Sequence, residues 1–283
     1  MKKYELTSQV VECKGLVLHR IRALKDFGSI KAGEFGGWIE NEENLSQDGT
    51  AWVFDDAKVI GKAMVFGNAE IHNRAWVFNN ATVYENAKVY NNVMVFNNAG
   101  IYGDARISNN ARIYGNAVIY ENARVFNDSS VCGHAAVYGG AKIYCYANVC
   151  DNATVHGNAR VYQNAQIYGD ANIYDYGWIY GNAVVHGKAN IFGRIDVYGN
   201  ADICGDAKVF SERDYIVFKN FWSSGRYFTW TKSNNMWKVG CFYGTGEELI
   251  KKAYADSEKS GKEYKRVVRY VESILADESK ENE

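Results

Sequence analysis

From Ala51 to Phe210 the chain repeats one six-residue phrase 27 times without insertion or deletion, Ala-x-Val-Tyr-Gly-Asn in its commonest form. A period this short and strict constrains the fold more than any composition can. The third hexad position, 53 to 209 in steps of six, is always Val or Ile. The first is Ala in 23 of the 27, with Val93, Ser129, Gly177 and Ile195 as the exceptions. Side chains alternate along an extended chain, so these two positions share a face, and their apolar character makes it the interior. The residue preceding each Ala is Asn in 13 hexads and Asp in five. With its neighbour it forms a corner, because Gly, Asn and Asp tolerate left-handed backbone. Each hexad is then a short strand plus a corner, and three hexads close a triangular coil. Nine coils at about 4.8 Å stack into a prism roughly 43 Å long. The chain has no proline, where average use of roughly 5% would give about 14. Proline would remove a ladder donor at nearly every hexad position, which accounts for its absence.

Hexads of the Val-Tyr-Gly-Asn-Ala-Lys type resemble the hexapeptide-repeat, left-handed parallel β-helix family, best known from acyltransferases. The left-handed sense is what that resemblance implies, since general crossover statistics favour the right hand. The run His19-Arg20-Ile21-Arg22-Ala23-Leu24-Lys25-Asp26-Phe27, then Gly36-Gly37-Trp38-Ile39-Glu40 and Asn44-Leu45-Ser46-Gln47, further resembles the start of a bacterial and phage subgroup, the YdcK type. The expected fold is all-β: a single-stranded left-handed parallel β-helix of about nine regular coils over 51–210. An N-terminal β cap is expected over 1–50 and a small C-terminal α+β module over 211–283. Strands are expected over 10–13 and 16–23 around a Lys14-Gly15 turn, and over 215–221, 227–231 and 236–239. Thr245 with Glu248 and Ser260 with Glu263 have capping-box spacing, each opening a helix. The second helix carries Val267, Val268, Val271, Ile274 and Leu275 on one side.

Residues 18 apart stack in columns, and the three outer faces differ. One carries Phe66, Tyr84, Tyr102, Tyr120, Tyr138, His156, Tyr174, Phe192 and Phe210 beside an uncharged column, Met64, Thr82, Gly100, Val118, Ala136, Thr154, Asn172 and Asn190. A flat aromatic face of that length points to a homo-oligomer interface. A second carries Lys88, Arg106, Arg124, Lys142 and Arg160 beside Tyr90, Phe126, Tyr144 and Tyr162. Stacked like charges interleaved with rings suit an anionic partner, nucleic acid or nucleotide. Glu85, Asp104 and Glu121 on the adjoining corner offer these cations ordinary ion pairs instead. The third face stacks Cys132 on Cys150 and His186 on Cys204. A Cys beside a His can be an activated thiolate, but no residue evident in the sequence orients the His, and these positions are expected to be small-residue filling. Trp222, Trp230 and Trp237 in the C-terminal module are partner-binding candidates, set against a purely capping role.

A formal net charge of -1 argues against bulk electrostatic binding of nucleic acid and leaves only a local patch. No apolar run reaches a membrane span, and the first residues lack a signal-peptide core, so a cytoplasmic protein is expected, in host cytoplasm if phage-encoded. Six cysteines without metal-ligand spacing are expected as reduced thiols. The acyltransferase resemblance implies a His general base, coenzyme A between adjacent prisms and an extruded loop. His72, His134, His156 and His186 all lie inside regular hexads, and no loop interrupts them. No catalytic residue, metal site or cofactor is therefore assigned. The expected function is that of a non-catalytic binding protein, self-associating through the aromatic face. Its partner is a host protein such as a defence effector, or an anion on the basic stripe, with no membrane partner. An acetyl-coenzyme A-dependent acyltransferase and a structural scaffold are the alternatives.

Overall fold

The computed structural model describes residues 2–281; residues 1, 282 and 283 of the two expected terminal modules lie outside the described residues. The 27 hexads form 27 two-residue strands, dealt in turn onto three parallel sheets, so that strands one coil apart pair in strict register, as in Lys88↔Arg106↔Arg124. The expected all-β solenoid with an N-terminal β cap and a C-terminal α+β module is the architecture formed. All the first- and third-position Ala, Val and Ile side chains are buried, at most 2% exposed. The interior is thus a narrow column of one small and one branched layer. Ser129, the polar exception, donates its hydroxyl to Phe126 O at 2.8 Å, which removes the cost of its burial.

Backbone donors explain why proline is excluded position by position. In the Ala87 hexad, Lys88 N–H donates to Ala105 O, Tyr90 N–H to Ile107 O and Asn92 N–H to Asn109 O, each on the next coil, while Ala87 N–H closes onto Tyr84 O. The fifth position has positive φ at every corner from Asp55 to Gly205, which proline cannot adopt.

The corners differ from the sequence expectation in one respect. The left-handed residue lies two before each Ala, not immediately before it. The Asn immediately before Ala instead builds side-chain ladders up the corner, Asn80 to Asn98 to Asn116 and Asn68 to Asn86 to Asp104, with Nδ2 to Oδ1 distances of 2.8–3.1 Å.

Both ends are closed by the flanking segments. Strands β1 (Tyr4–Cys13) and β2 (Leu16–Ala23) form an antiparallel hairpin whose turn residues, Lys14 and Gly15, both have positive φ. That is the geometry a two-residue hairpin turn requires. β3 (Phe35–Ile39) pairs antiparallel with β2 and parallel with Lys58–Val59, and Leu45 bridges Val65 in parallel. Winding therefore begins before the first hexad. Trp52, fully buried, is packed edge-on by Tyr4 and Phe27 at 6.2 and 5.3 Å. Lys3 is buried too, its Nζ donating to Ala51 O at 3.0 Å and Asp48 O at 3.3 Å, and burial pulls its pKa down to about 8.

At the other end a four-stranded antiparallel sheet spans Tyr215–Lys219, Tyr227–Thr231, Met236–Val239 and Phe242–Gly244. Its side chains replace acceptors that the last coil lacks. Asp202 N–H donates to Thr229 Oγ1 at 2.9 Å and Lys208 N–H to Ser233 Oγ at 2.7 Å. Helices α1 (Gly246–Asp256) and α2 (Glu258–Glu281) cover the sheet. The Thr245 capping box forms as expected. The second does not. The preceding Ser257 takes the N-terminal role, accepting from Ser260 N–H at 3.1 Å, and Ser260 lies inside α2.

Candidate functional site

The basic stripe stands on one sheet, and the in-register ladder brings its five cations together as the 18-residue spacing requires: Lys88, Arg106, Arg124, Lys142 and Arg160 on consecutive strands. Their partners differ. Lys88 Nζ lies 2.8 Å from Glu70 Oε2, one coil below, and Arg160 stacks over Trp178, 4.5 Å from the ring centroid. Arg106, Arg124 and Lys142 make no ion pair among the described residues. The corner acids do not neutralise them: Glu85 Oε2 accepts from Gly103 N–H at 2.8 Å, Glu121 Oε2 from Gly139 N–H at 2.9 Å, and Asp104 ends an amide ladder. Glu85 and Glu121 thus serve the left-handed corners, whose N–H groups lie outside the strand ladder.

Beside the cations, Phe126, Tyr144, Tyr162, Tyr180 and Tyr198 stack with centroids 4.9–5.4 Å apart. Tyr90 belongs to a separate group, stacked on His72 at 4.9 Å, because Ser108 takes the intervening place. Burial, reinforced by neighbouring Tyr144, Tyr180 and Asp196, pushes the Tyr162 phenol up to about 12, so it remains a neutral donor. Near the last coils, Tyr176, Trp178, Arg194 and Asp196 line a cleft of about 470 Å³. The stripe thus offers positive charge, ring edges and a concave end on one face.

His72 lies at the opposite end of the same face, with Nε2 3.1 Å from Glu70 Oε2. Burial favours the neutral Glu70 carboxyl, but hydrogen bonds from Lys88 and His72 outweigh it and hold its pKa below the usual range. A carboxylate that orients one ring nitrogen leaves the other as a base.

On the aromatic face, whose flanking column is uncharged as far as Asn190 and ends in Lys208, the expected ring column forms from Phe66 through Phe210, successive centroids 4.7–5.3 Å apart. Stacking leaves Phe66, Tyr84, Tyr102, Tyr120, Tyr138, Tyr174 and Phe192 half-buried, so what they present is chiefly ring edges. Of the three candidate tryptophans, only Trp222 is exposed. Trp230 and Trp237 are 2% exposed and form the core of the C-terminal module against Phe228, Leu249 and Val268, which removes both from any docking surface.

The third face corrects two further expectations. Cys132 and Cys150 are not reduced: register sets their Cα atoms 4.6 Å apart and they form a disulfide. His186 does have an orienting residue, for its Nε2 lies 3.0 Å from Asp202 Oδ1. Cys204 beside it is buried, and that burial pushes its thiol up to about 12, so in the absence of a bound cation it is protonated.

Coils of Ala-x-Val/Ile hexads around so narrow a core define a hexapeptide-repeat parallel β-solenoid. Part of the repeat region is similar to the YdcK type: the YdcK beta solenoid repeat model matches residues 105–121 and 111–125. Over 55 residues the chain is 40% identical to "Uncharacterized acetyltransferase YdcK" of Escherichia coli (strain K12), a stretch that is 19% of this chain and 17% of that protein. Among the described residues no helix is long and apolar enough to cross a membrane.

Proposed function

We propose that the prism binds a phosphate-bearing nucleotide along the basic aromatic face, and that an acyl-coenzyme A is the ligand of this class it takes. The carrying observation is the run Arg106, Arg124 and Lys142: three neighbouring cations on adjacent strands with no carboxylate partner among the described residues. Like charges about 4.8 Å apart repel, and an anion laid along them relieves that repulsion. The rings next to them offer faces and edges to a base. Coenzyme A is favoured over other nucleotides by the acetyltransferase name of the YdcK relative.

Acyl transfer is the second reading, favoured by His72 beside Glu70 on this same face. Self-association through the Phe66 to Phe210 column would supply the groove walls that a single flat prism lacks. On this reading the chain works in the cytoplasm. Sequestering a nucleotide, or docking a host protein through Trp222, is the form its action would take in a phage.

Calorimetric titration with acetyl-coenzyme A, ADP and a thymidine oligonucleotide tests the binding. Acetyl-coenzyme A is expected to bind most tightly and to weaken with salt, and the Arg124→Glu/Lys142→Glu variant should lose binding. If the wild type retains none of the three at low salt, the proposal fails. Acceptor-dependent thiol release from acetyl-coenzyme A, with an amine or sugar taking the acetyl group, that disappears in His72→Gln supports transfer; release unaffected by that change refutes His72 as the base. Sedimentation showing only monomer at micromolar concentration refutes the self-association.

A further inference from the structure

Where the last coils meet the C-terminal sheet, three side chains of different ligand chemistry converge. His186 stands at the fourth position of its hexad, and Asp202 and Cys204 at the second and fourth positions one coil on. One ligand atom from each lies within 4.8 Å of the other two. Cys204 is 4% exposed, whereas the His186 and Asp202 side chains are 21% and 31% exposed. The group is therefore closed behind the thiol and open to water in front of the imidazole and carboxylate. Its framework is fixed on several sides. Tyr168 stacks on His186 at 4.8 Å, and Asp202 N–H is held by Thr229 Oγ1. Cys204 makes no hydrogen bond among the described residues, and neither the basic stripe nor the disulfide uses any of the three.

We propose that His186, Asp202 and Cys204 form a binding site for a divalent transition-metal cation of the zinc class, with water completing the coordination. Imidazole nitrogen, carboxylate oxygen and thiolate sulfur are the donor set of a four-coordinate zinc centre with one open position. The thiolate selects against magnesium and calcium, which take oxygen ligands. Tetrahedral bonds of about 2.0–2.3 Å put ligand atoms roughly 3.3–3.8 Å apart. His186 Nε2 and Asp202 Oδ1, 3.0 Å apart, part slightly as the metal replaces their hydrogen bond, while separations of up to 4.8 Å close by about 1 Å, a side-chain adjustment on a backbone held by the coil ladder. On binding, the Cys204 S–H bond breaks, its proton passes to solvent, and the sulfur lone pair bonds the metal, with no change of oxidation state.

One neighbour opposes the metal. Lys238 Nζ, from the C-terminal sheet, lies 3.8 Å from Asp202 Oδ2 and donates to Gly240 O at 2.8 Å. Its ammonium competes for the carboxylate and has a second acceptor to keep when a metal arrives. Lys238 thus sets the affinity from outside the ligand set.

Cobalt(II), titrated into the full chain anaerobically and without reductant so that the Cys132–Cys150 disulfide stays closed, is the probe. The wild type is expected to develop a near-ultraviolet thiolate-to-cobalt band with visible bands of a four-coordinate ion. Cys204→Ser should abolish the near-ultraviolet band. His186→Gln and Asp202→Asn should each weaken binding at least about tenfold, and Lys238→Met should tighten it by about as much. Circular dichroism and melting without metal establish that each variant is folded. His186→Gln and Lys238→Met alter partly exposed positions and decide the matter even if Cys204→Ser does not fold. The proposal is overturned if the wild type shows no band at millimolar cobalt, if the band survives Cys204→Ser, or if neither His186→Gln nor Lys238→Met changes the affinity.

Discussion

The coils are held together by backbone hydrogen bonds from one to the next, and at Gly103 the next corner's backbone also approaches closely, a contact that a pair of glycine substitutions measures. Gly103 and Gly199 occupy equivalent fifth positions with nearly equal φ, +67° and +68°. A Cβ added at Gly103 would sit 2.6 Å from Glu121 N and 3.0 Å from Glu121 Cα on the next coil, whereas at Gly199 it meets nothing within 4 Å. Alanine at either site bears the left-handed penalty of roughly 1–2 kcal/mol, and the gain from restricting the unfolded chain is common to both. Only Gly103→Ala must also push two coils apart, an overpacking cost of about 1–3 kcal/mol. Gly199→Ala is thus expected to lose about 1–2 kcal/mol and Gly103→Ala about 2–5. Guanidinium titrations followed by tryptophan fluorescence and circular dichroism give both values, coincident transitions confirming that one cooperative unit is observed. Equal losses for the two variants would refute the reasoning, because the corners would then be yielding rather than rigid.

Two pH effects of opposite sign follow from burial. The stacked phenols have raised pKa values, Tyr120 and Tyr162 to about 12, chiefly through burial. The unfolded chain therefore loses their protons first, from the ordinary value of 10.0. Their contribution is complete below that value and is lost as pH rises toward 12; urea midpoints should fall between pH 10 and 11.5, less steeply in Tyr120→Phe/Tyr162→Phe, and parallel curves would contradict this. Lys3 acts the other way, its folded pKa lowered by burial from 10.5 to about 8. The unfolded state binds more protons between those values, so the wild type should gain stability relative to Lys3→Met from pH 8 to 10.5, and a constant difference would rule out a charged, buried Lys3 at neutral pH.

The fold was legible because the inward hexad positions are so uniform: 27 branched side chains at one offset fix the face that turns inward and the three-hexad coil, while the hand of the coil is not written in them. The corners were legible only in outline, because Asn serves two purposes there. Asn97 takes the left-handed conformation and also accepts in an amide ladder from Asn79, while Asn98 serves a ladder alone, and composition does not separate the two. Trp230 and Trp237 resembled surface anchors because a small module with few aliphatic residues uses its aromatic ones as core. Asp202, the partner of His186, escaped notice for a geometric reason. Column reading compares residues 18 apart, but a fourth-position side chain also leans toward the second position of the next coil, 16 residues on. Tyr180 and Asp196 meet by the same offset, Oη to Oδ2 at 3.4 Å, so a search at that interval would have found both.

The uniform interior has a consequence for how such a molecule can change. All but four hexads present Ala with Val or Ile inward, and a full coil returns each outer column to its place. A segment encoding three hexads can therefore be lost or duplicated between the terminal caps with the core unaltered and every sheet still in register. Only the length of the stripe and of the aromatic column would differ. Reach along the axis is thereby separable from foldability, and the molecule behaves as a ruler whose divisions can be added or removed one coil at a time.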